Sequence, residues 1–377
     1  MEYHQYVIGT PTQFPPRGTA IVNLCAIICL HLCILTANAQ QAPIPLPTAG
    51  QTGAAAADNA ARKLFLDVFV SDKSGNPVPG LQQPDFTLLD NKQPVKITDF
   101  FPVDQAAAAD APVEIILLLD RVNTAFSAMS NLQQQLEKYL KQNNGQLPRP
   151  VSIIAVTDSE TKIMAATRDG NILATALEQY QSGLRQIARS QGTYGAVERV
   201  ELSLKALHEV SAYGSKRPGR KLLIWISPGW PTLSGPRIQL SDKDLRGIFN
   251  SIVVASDDLR HARITLYSID PRGVTSAGTI ETSYYKEFLK GVTAAKKSQF
   301  GNLALQVLAE QSGGKVFFGS NDLPAEIERC LGDLKSWYVL TFASLPGDGP
   351  DEYHALDVKI DKPGVVARTR AGYYAQP

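Results

Sequence analysis

Hydrophobic positions along the chain follow more than one period. Leu64, Leu66, Val68 and Val70 alternate with Phe65, Asp67 and Phe69, the pattern of a strand with one face toward a core. The run Asp72-Lys73-Ser74-Gly75-Asn76-Pro77 is a dense turn signal. Short strands are expected at Phe86–Leu89 and Val95–Phe100, with the turn Asp90-Asn91-Lys92-Gln93 between them. At Val113–Asp120 the alternation stops. Val113-Glu114-Ile115-Ile116-Leu117-Leu118-Leu119-Asp120 is a short, mostly apolar run, as expected of a strand buried on both faces in a parallel sheet.

The period then changes. Phe126, Met129, Leu132, Leu136 and Leu140 recur at steps of three and four, which predicts an amphipathic helix with Asn123 or Thr124 as its cap. A strand follows at Val151–Val156, with a hairpin partner at Thr161–Thr167. Helical spacing returns at Asn171–Tyr180. It returns again after Gly192-Thr193-Tyr194-Gly195, through Val197, Val200, Leu204, Leu207 and Val210. Strands at Lys221–Ile226 and Arg263–Ile269 bracket a helix at Asp242–His261. A long connection, Val274–Ser298, leads to a helix at Asn302–Gln311, a strand at Lys315–Phe318 and a helix capped by Asp322 with Pro324 in its first turn. Three more strands end the chain, at Trp337–Phe342, Tyr353–Ile360 and Val365–Tyr373.

The order is thus β-rich, alternating, β-rich. The alternating part, residues 112–336, predicts an α/β fold: a doubly wound, mostly parallel sheet with helices on both faces. The flanks, 63–104 and 337–377, are each too short to bury a core. They are expected to pair into one small β-sandwich; two independent flaps are the alternative.

The N-terminus changes the picture of where the protein works. Ala20–Leu35 is an apolar run of signal-peptide length, and Ala37-Asn38-Ala39 fits a cleavage site. Residues 1–39 are therefore read as a signal peptide, with retention as an anchor the alternative, and Ala-, Pro- and Gln-rich residues 40–62 as a flexible linker. The expected location is secreted or periplasmic, with no later membrane span. Of the 4 cysteines, Cys25, Cys29 and Cys33 lie in the apolar run. Cys330 is left without an internal disulfide partner, and its spacing with Ile327, Leu331 and Leu334 makes it a packing residue. With 37 Lys+Arg against 36 Asp+Glu, bulk charge does not drive nucleic-acid binding. Lys216-Arg217-Pro218-Gly219-Arg220-Lys221 is the densest basic run and reads as a solvated loop.

Catalytic signatures are missing from the sequence. His208, His261 and His354 have no metal-binding spacing, and there is no Gly-x-Ser-x-Gly elbow and no phosphate loop. The expected protein is non-enzymatic, with a hydrolase a distant alternative. What stands out is a set of strand-end turns at Asp120–Thr124, Gly192-Thr193 and Ser227-Pro228-Gly229, which a doubly wound fold brings to its ligand edge.

Leu117-Leu118-Leu119-Asp120, the Gly192-Thr193-Tyr194-Gly195 helix start, Leu223–Gly229 and Leu266–Gly273 together resemble the von Willebrand factor A-domain family. With Val78-Pro79-Gly80-Leu81, Asp85-Phe86 and Arg370-Ala371-Gly372-Tyr373-Tyr374, the chain is similar to exported bacterial proteins related to that family, of the acidobacterial soil type, over roughly residues 63 to 375. The resemblance implies adhesion-type binding of an unknown protein or cell-surface ligand. It also implies a site for Mg²⁺, Mn²⁺ or Ca²⁺. Carried over, Asp120 matches the first ligand, Val122 stands where a serine should be, and Thr124, Thr193 and Ser227 fall at the other positions. Ser227 replaces an aspartate, so the resemblance implies a degenerate metal site, with Asp120 as helix cap or partner of the Thr193 loop if no ion binds. A metal-independent structural or assembly factor of the envelope is the alternative function.

Overall fold

Eight consecutive residues, Val113–Asp120, form a strand in which each is buried, and the rest of the α/β part is arranged around it. The computed structural model describes residues 62–104, 112–182, 192–231, 240–278 and 281–377. The expected signal segment and nearly all of the linker lie outside the described residues.

In chain order the strands are β1 (Lys63–Asp72), β2 (Phe86–Asp90), β3 (Gln93–Val95), β4 (Asp99–Val103), β5 (Val113–Asp120), β6 (Gln146–Val156), β7 (Thr161–Asp169), β8 (Arg220–Ile226), β9 (Ile264–Ile269), β10 (Val316–Phe317), β11 (Trp337–Ala343), β12 (Glu352–Ile360), β13 (Val365–Arg368) and β14 (Gly372–Ala375). The main helices are α1 (Phe126–Leu140), α2 (Gly170–Ser182), α3 (Gly192–Ser215), α4 (Asp242–His261), α5 (Leu305–Gln311) and α6 (Leu323–Leu331).

The central sheet runs β10-β9-β8-β5-β6-β7. All its neighbours are parallel except β6 and β7, the hairpin expected from the sequence. β5 sits between β6 and β8, with Leu117 level with both Ile153 and Ile224. Chain order reverses at the β5–β8 pair, which is the topological switch point where such sheets bind ligands.

Helices cover both faces. Ile115, Leu117 and Leu119 pack with Leu132 and Leu136 of α1, Leu173 and Leu177 of α2, and Ile327 and Cys330 of α6. Ile116 and Leu118 pack with Val200 and Leu207 of α3, Leu259 of α4, and Leu305 and Leu308 of α5. Full burial of each such side chain contributes about 1.5–3 kcal/mol, which is why an unalternating apolar run folds only at the centre of the sheet. Cys330 is free and buried, and burial pushes its thiol well above the ordinary value, as suits a packing residue.

Two antiparallel sheets, β13-β1-β11-β4 and β14-β12-β2-β3, enclose a second core of Leu66, Val68, Leu88, Leu340, Phe342, Val358 and Tyr373, among others. β1 pairs with β11 (Leu66 opposite Leu340) and β2 with β12 (Leu88 opposite Val358), so the two flanks do interleave into one sandwich. The other face of β1 is covered only in part, with Phe65 48% exposed. Phe69 joins the α/β core, and Asp67 pairs with Arg263 at 3.0 Å.

Local expectations are corrected at five places. The strand expected at Val95–Phe100 divides into β3 and β4, and that at Val365–Tyr373 into β13 and β14, each pair shared between the two sandwich sheets. α1 is capped by Ala125 with no side-chain hydrogen bond, not by Asn123 or Thr124. The helix expected from Asn302 divides into a 3-10 turn at Phe300–Leu303 and α5. The basic run at 216–221 is not simply a solvated loop: Arg220 and Lys221 are each only 2% exposed. Gly219, at φ +76°, turns the chain into β8, where β5 pairs with both residues and β9 with Lys221.

Candidate functional site at the sheet's C-terminal edge

Asp120 ends β5 at the switch point, level with the turn that follows β8. It is fully buried. Its carboxylate is nonetheless well supplied. The Asn123 backbone N–H donates to Oδ1 (2.9 Å), the Asn123 side-chain Nδ2 donates to Oδ2 (2.8 Å), and the Trp225 indole Nε1 donates to Oδ2 (3.0 Å). The loop after β5 thus folds back on the carboxylate as an Asx-type turn. Asn123 Nδ2 also donates to Ser203 Oγ of α3 (2.9 Å), whose hydroxyl donates to the Arg199 carbonyl (2.7 Å). This chain of bonds ties the β5 loop to α3. Asp120 does not cap α1; it is held by its own loop and by β8.

Trp225 lies on the same sheet face as Asp120, one strand away, and is completely buried. Its ring meets Trp230 edge-on, with centroids 5.1 Å apart. Val122, where the resemblance expects a hydroxyl, packs in the same apolar cluster. The crevice that a switch point offers is therefore filled by an indole, and the indole N–H points at the carboxylate. No sequence motif announces this, because a tryptophan in an apolar strand reads as core. The strand register, Leu118 opposite Trp225, is what brings the ring beside Asp120.

The other expected ligands are placed as follows. Thr124 is buried, and its N–H donates to the Asp120 carbonyl at 3.3 Å. Ser227 is buried, and its Oγ accepts from the Gly229 N–H at 3.2 Å, closing the Ser-Pro-Gly turn. Thr193 lies in the first turn of α3; its side chain is outside the described structure. Asp270, at the end of β9, is engaged by Arg272 through Nε and Nη2 at 2.8–3.1 Å and through the Arg272 N–H at 2.9 Å. That loop is a self-contained turn.

A hard dication asks for about six to eight oxygen ligands, carboxylates among them, some of which water can supply. Here one carboxylate is aimed at three N–H donors, Val122 offers no oxygen, and the Ser227 hydroxyl serves a turn. The Asn123 side-chain oxygen is buried without a partner among the described residues, but one neutral oxygen beside a donor-filled carboxylate does not make a cage. Among the described residues no three His, Cys, Asp or Glu side chains gather. Among the described residues, which leave out the Thr193 side chain, the set supplies fewer free oxygens than Mg²⁺, Mn²⁺ or Ca²⁺ takes.

The rim of this edge is different in character. Phe126, the first residue of α1, is 71% exposed, and Val274 and Phe318, which follow β9 and β10, are 59% and 40% exposed. The described residues include no helix long and apolar enough to cross a membrane.

No protein-family profile matches the chain, and no curated protein matches it. Among solved structures it is similar to the vWF domain of the type V pili tip protein Mfa5 from Porphyromonas gingivalis, at 10% identity over 58% of this chain and 93% of that one, with a TM-score of 0.35. It is also similar to the pilus adhesin SpaC from Lactobacillus rhamnosus GG (9% identity, 81% of this chain, 43% of that one, TM-score 0.33). A third is the manganese-loaded TRAP protein from Plasmodium vivax (9% identity, 76% and 97%, TM-score 0.32).

Proposed function

We propose that this is an exported, non-enzymatic binding module of von Willebrand A type, of the exported acidobacterial-type group, that contacts another protein at the C-terminal edge of its central sheet and does so without a bound cation. The observation that carries this reading is the Asp120 carboxylate, occupied by Asn123 and Trp225 donors where a metal-dependent site needs free oxygens. Export rests on the apolar run Ala20–Leu35 and the small residues that follow it. The exposed rim of Phe126, Val274 and Phe318 supplies apolar contact of the kind that anchors protein interfaces. Hydrolysis is not part of the reading because the sequence carries no Gly-x-Ser-x-Gly elbow and no metal-binding histidine spacing.

The test is a melting curve with and without millimolar Mg²⁺ or Mn²⁺, on the wild type and on Thr124→Val. The expected shift is below about 1 °C, because an ion that binds only the folded state at well above its Kd would raise stability by several kcal/mol. A saturable rise that Thr124→Val removes would restore a metal-dependent site. Crosslinked capture from the native envelope, lost in Phe126→Ser and kept in a substitution on the opposite edge, locates the contact.

A further inference from the structure

The opposite edge of the same sheet holds a charge with no hydrogen-bonding partner among the described residues. Arg220 opens β8, is 2% exposed, and places its guanidinium against two aromatic rings. Its Cζ lies 4.4 Å from the Phe69 ring centroid and 5.2 Å from that of Trp337. Phe69 belongs to β1 and Trp337 to β11, so this arginine joins the α/β sheet to the sandwich. Nε, Nη1 and Nη2 are all buried, and none has a hydrogen-bond partner among the described residues. Trp337 Nε1 is in the same state.

These groups share one chemistry. Guanidinium and indole nitrogens donate and do not accept. What would complete them is therefore an acceptor, and for a buried cation an acceptor with negative charge. The aromatic rings stabilise the guanidinium through their π-faces but accept none of its five in-plane N–H bonds. The packing partners on the sandwich side do not supply the charge. Asp333, bonded to the buried Tyr267 hydroxyl (2.6 Å), is already paired with Lys315 (2.9 Å) and Arg368. Arg368 itself stacks over the Phe69 ring at 4.5 Å. Burial, with the charges of Arg168 and Arg220 added to it, pulls Arg149 below its ordinary value.

We propose that the junction between the α/β sheet and the sandwich binds a small inorganic anion of the halide class, held by the in-plane N–H groups of Arg220 and by Trp337 Nε1. A monatomic anion suits a position closed to solvent and bounded by Phe69 and Trp337. Water would complete hydrogen bonds but leave the charge.

Two measurements test this on the full chain. Crystals grown in sodium bromide are expected to show an anomalous peak within hydrogen-bond distance of the Arg220 guanidinium. In solution, folding is followed in sodium chloride against sodium gluconate at equal ionic strength. Above the dissociation constant, each tenfold rise in chloride is expected to raise the folding equilibrium constant of the wild type about tenfold over gluconate. That difference vanishes in Arg220→Met and shrinks in Trp337→Phe. If Arg220→Met does not fold, the bromide crystal decides alone. A map with no peak, or with water or a carbonyl or carboxylate of the chain itself beside Arg220, overturns the proposal. So does a chloride response that Arg220→Met leaves unchanged.

Discussion

Asp120 and Arg220 are charged side chains on neighbouring strands of one sheet, each withdrawn from water, at opposite edges. Asp120 has three donors from its own loop and from β8. Arg220 has two aromatic faces and no acceptor among the described residues. Burial is the same in both; partnership is not. A buried charge with hydrogen-bond partners fixes local structure, and one without them is a cost that another species can relieve. The first edge is chemically closed although it is where such folds open to ligands, and the second is incomplete although it lies at an internal joint.

The largest expected effect is at the closed edge. Asp120→Ala leaves the Asn123 and Trp225 donors buried without their acceptor, at about 1–3 kcal/mol for each unsatisfied donor, and should cost about 3–5 kcal/mol in urea unfolding, with or without Mg²⁺. A loss under about 1 kcal/mol would mean that the carboxylate is not the hub described. Trp225→Phe keeps a ring and removes one donor to a charged group; a loss of about 1.5–3 kcal/mol is expected. Arg220→Met, measured in gluconate, should behave in the opposite sense, from no change to a gain of about 2 kcal/mol. A lost unpaired charge outweighs the lost cation–π contact. If it costs as much as Asp120→Ala, the contrast between the edges collapses.

A pH-dependent effect concerns Lys221, the neighbour of Arg220. Its Nζ donates to the carbonyls of Arg217 and Gly219, both at 2.9 Å. Burial, reinforced by the charge of Arg263, brings its value down from 10.5 to about 8. Between those values the unfolded chain keeps the proton while the folded chain has released it. Unfolding then takes up a proton, so stability contributed by this group rises as pH climbs from about 8 toward 10.5. Below about 8 both states are charged, and the contribution is flat at its least favourable level. Urea midpoints of the wild type minus those of Lys221→Met should increase over that window. A flat difference would show that the two carbonyls hold the ammonium at its ordinary value.

Much of the architecture could be read from hydrophobic spacing, because Val113–Asp120 admits one environment and the alternation of Leu64–Val70 another. The site was less legible, for a reason visible in Asn123 and Trp225. Asn123 looks like a helix cap, yet its side chain serves Asp120 and Ser203, and Ala125 takes the cap position. Trp225 looks like core and is core, but its one polar atom faces a carboxylate 105 residues earlier. Such facts depend on which strands become neighbours. The same holds for Arg220 and Lys221. A basic run is normally solvated, and only the strands packed on either side of β8 overrule that. Phe65 and Phe69 carried a signal that alternation alone hides, since two aromatic residues on the supposed outer face of β1 mark a joint.

The interleaved sandwich also orders events in time. β1 finds its partners β11 and β13 near the other end of the chain, and β2 pairs with β12. A ribosome finishes the first flank long before the second exists. For that interval Leu64, Leu66, Val68 and Val70 form an apolar strand with nothing to pair with, the condition in which chains stick to one another. Closure across so long a separation is slow. The α/β part can consolidate first, and the last forty residues then act as the clasp that ends the vulnerable period.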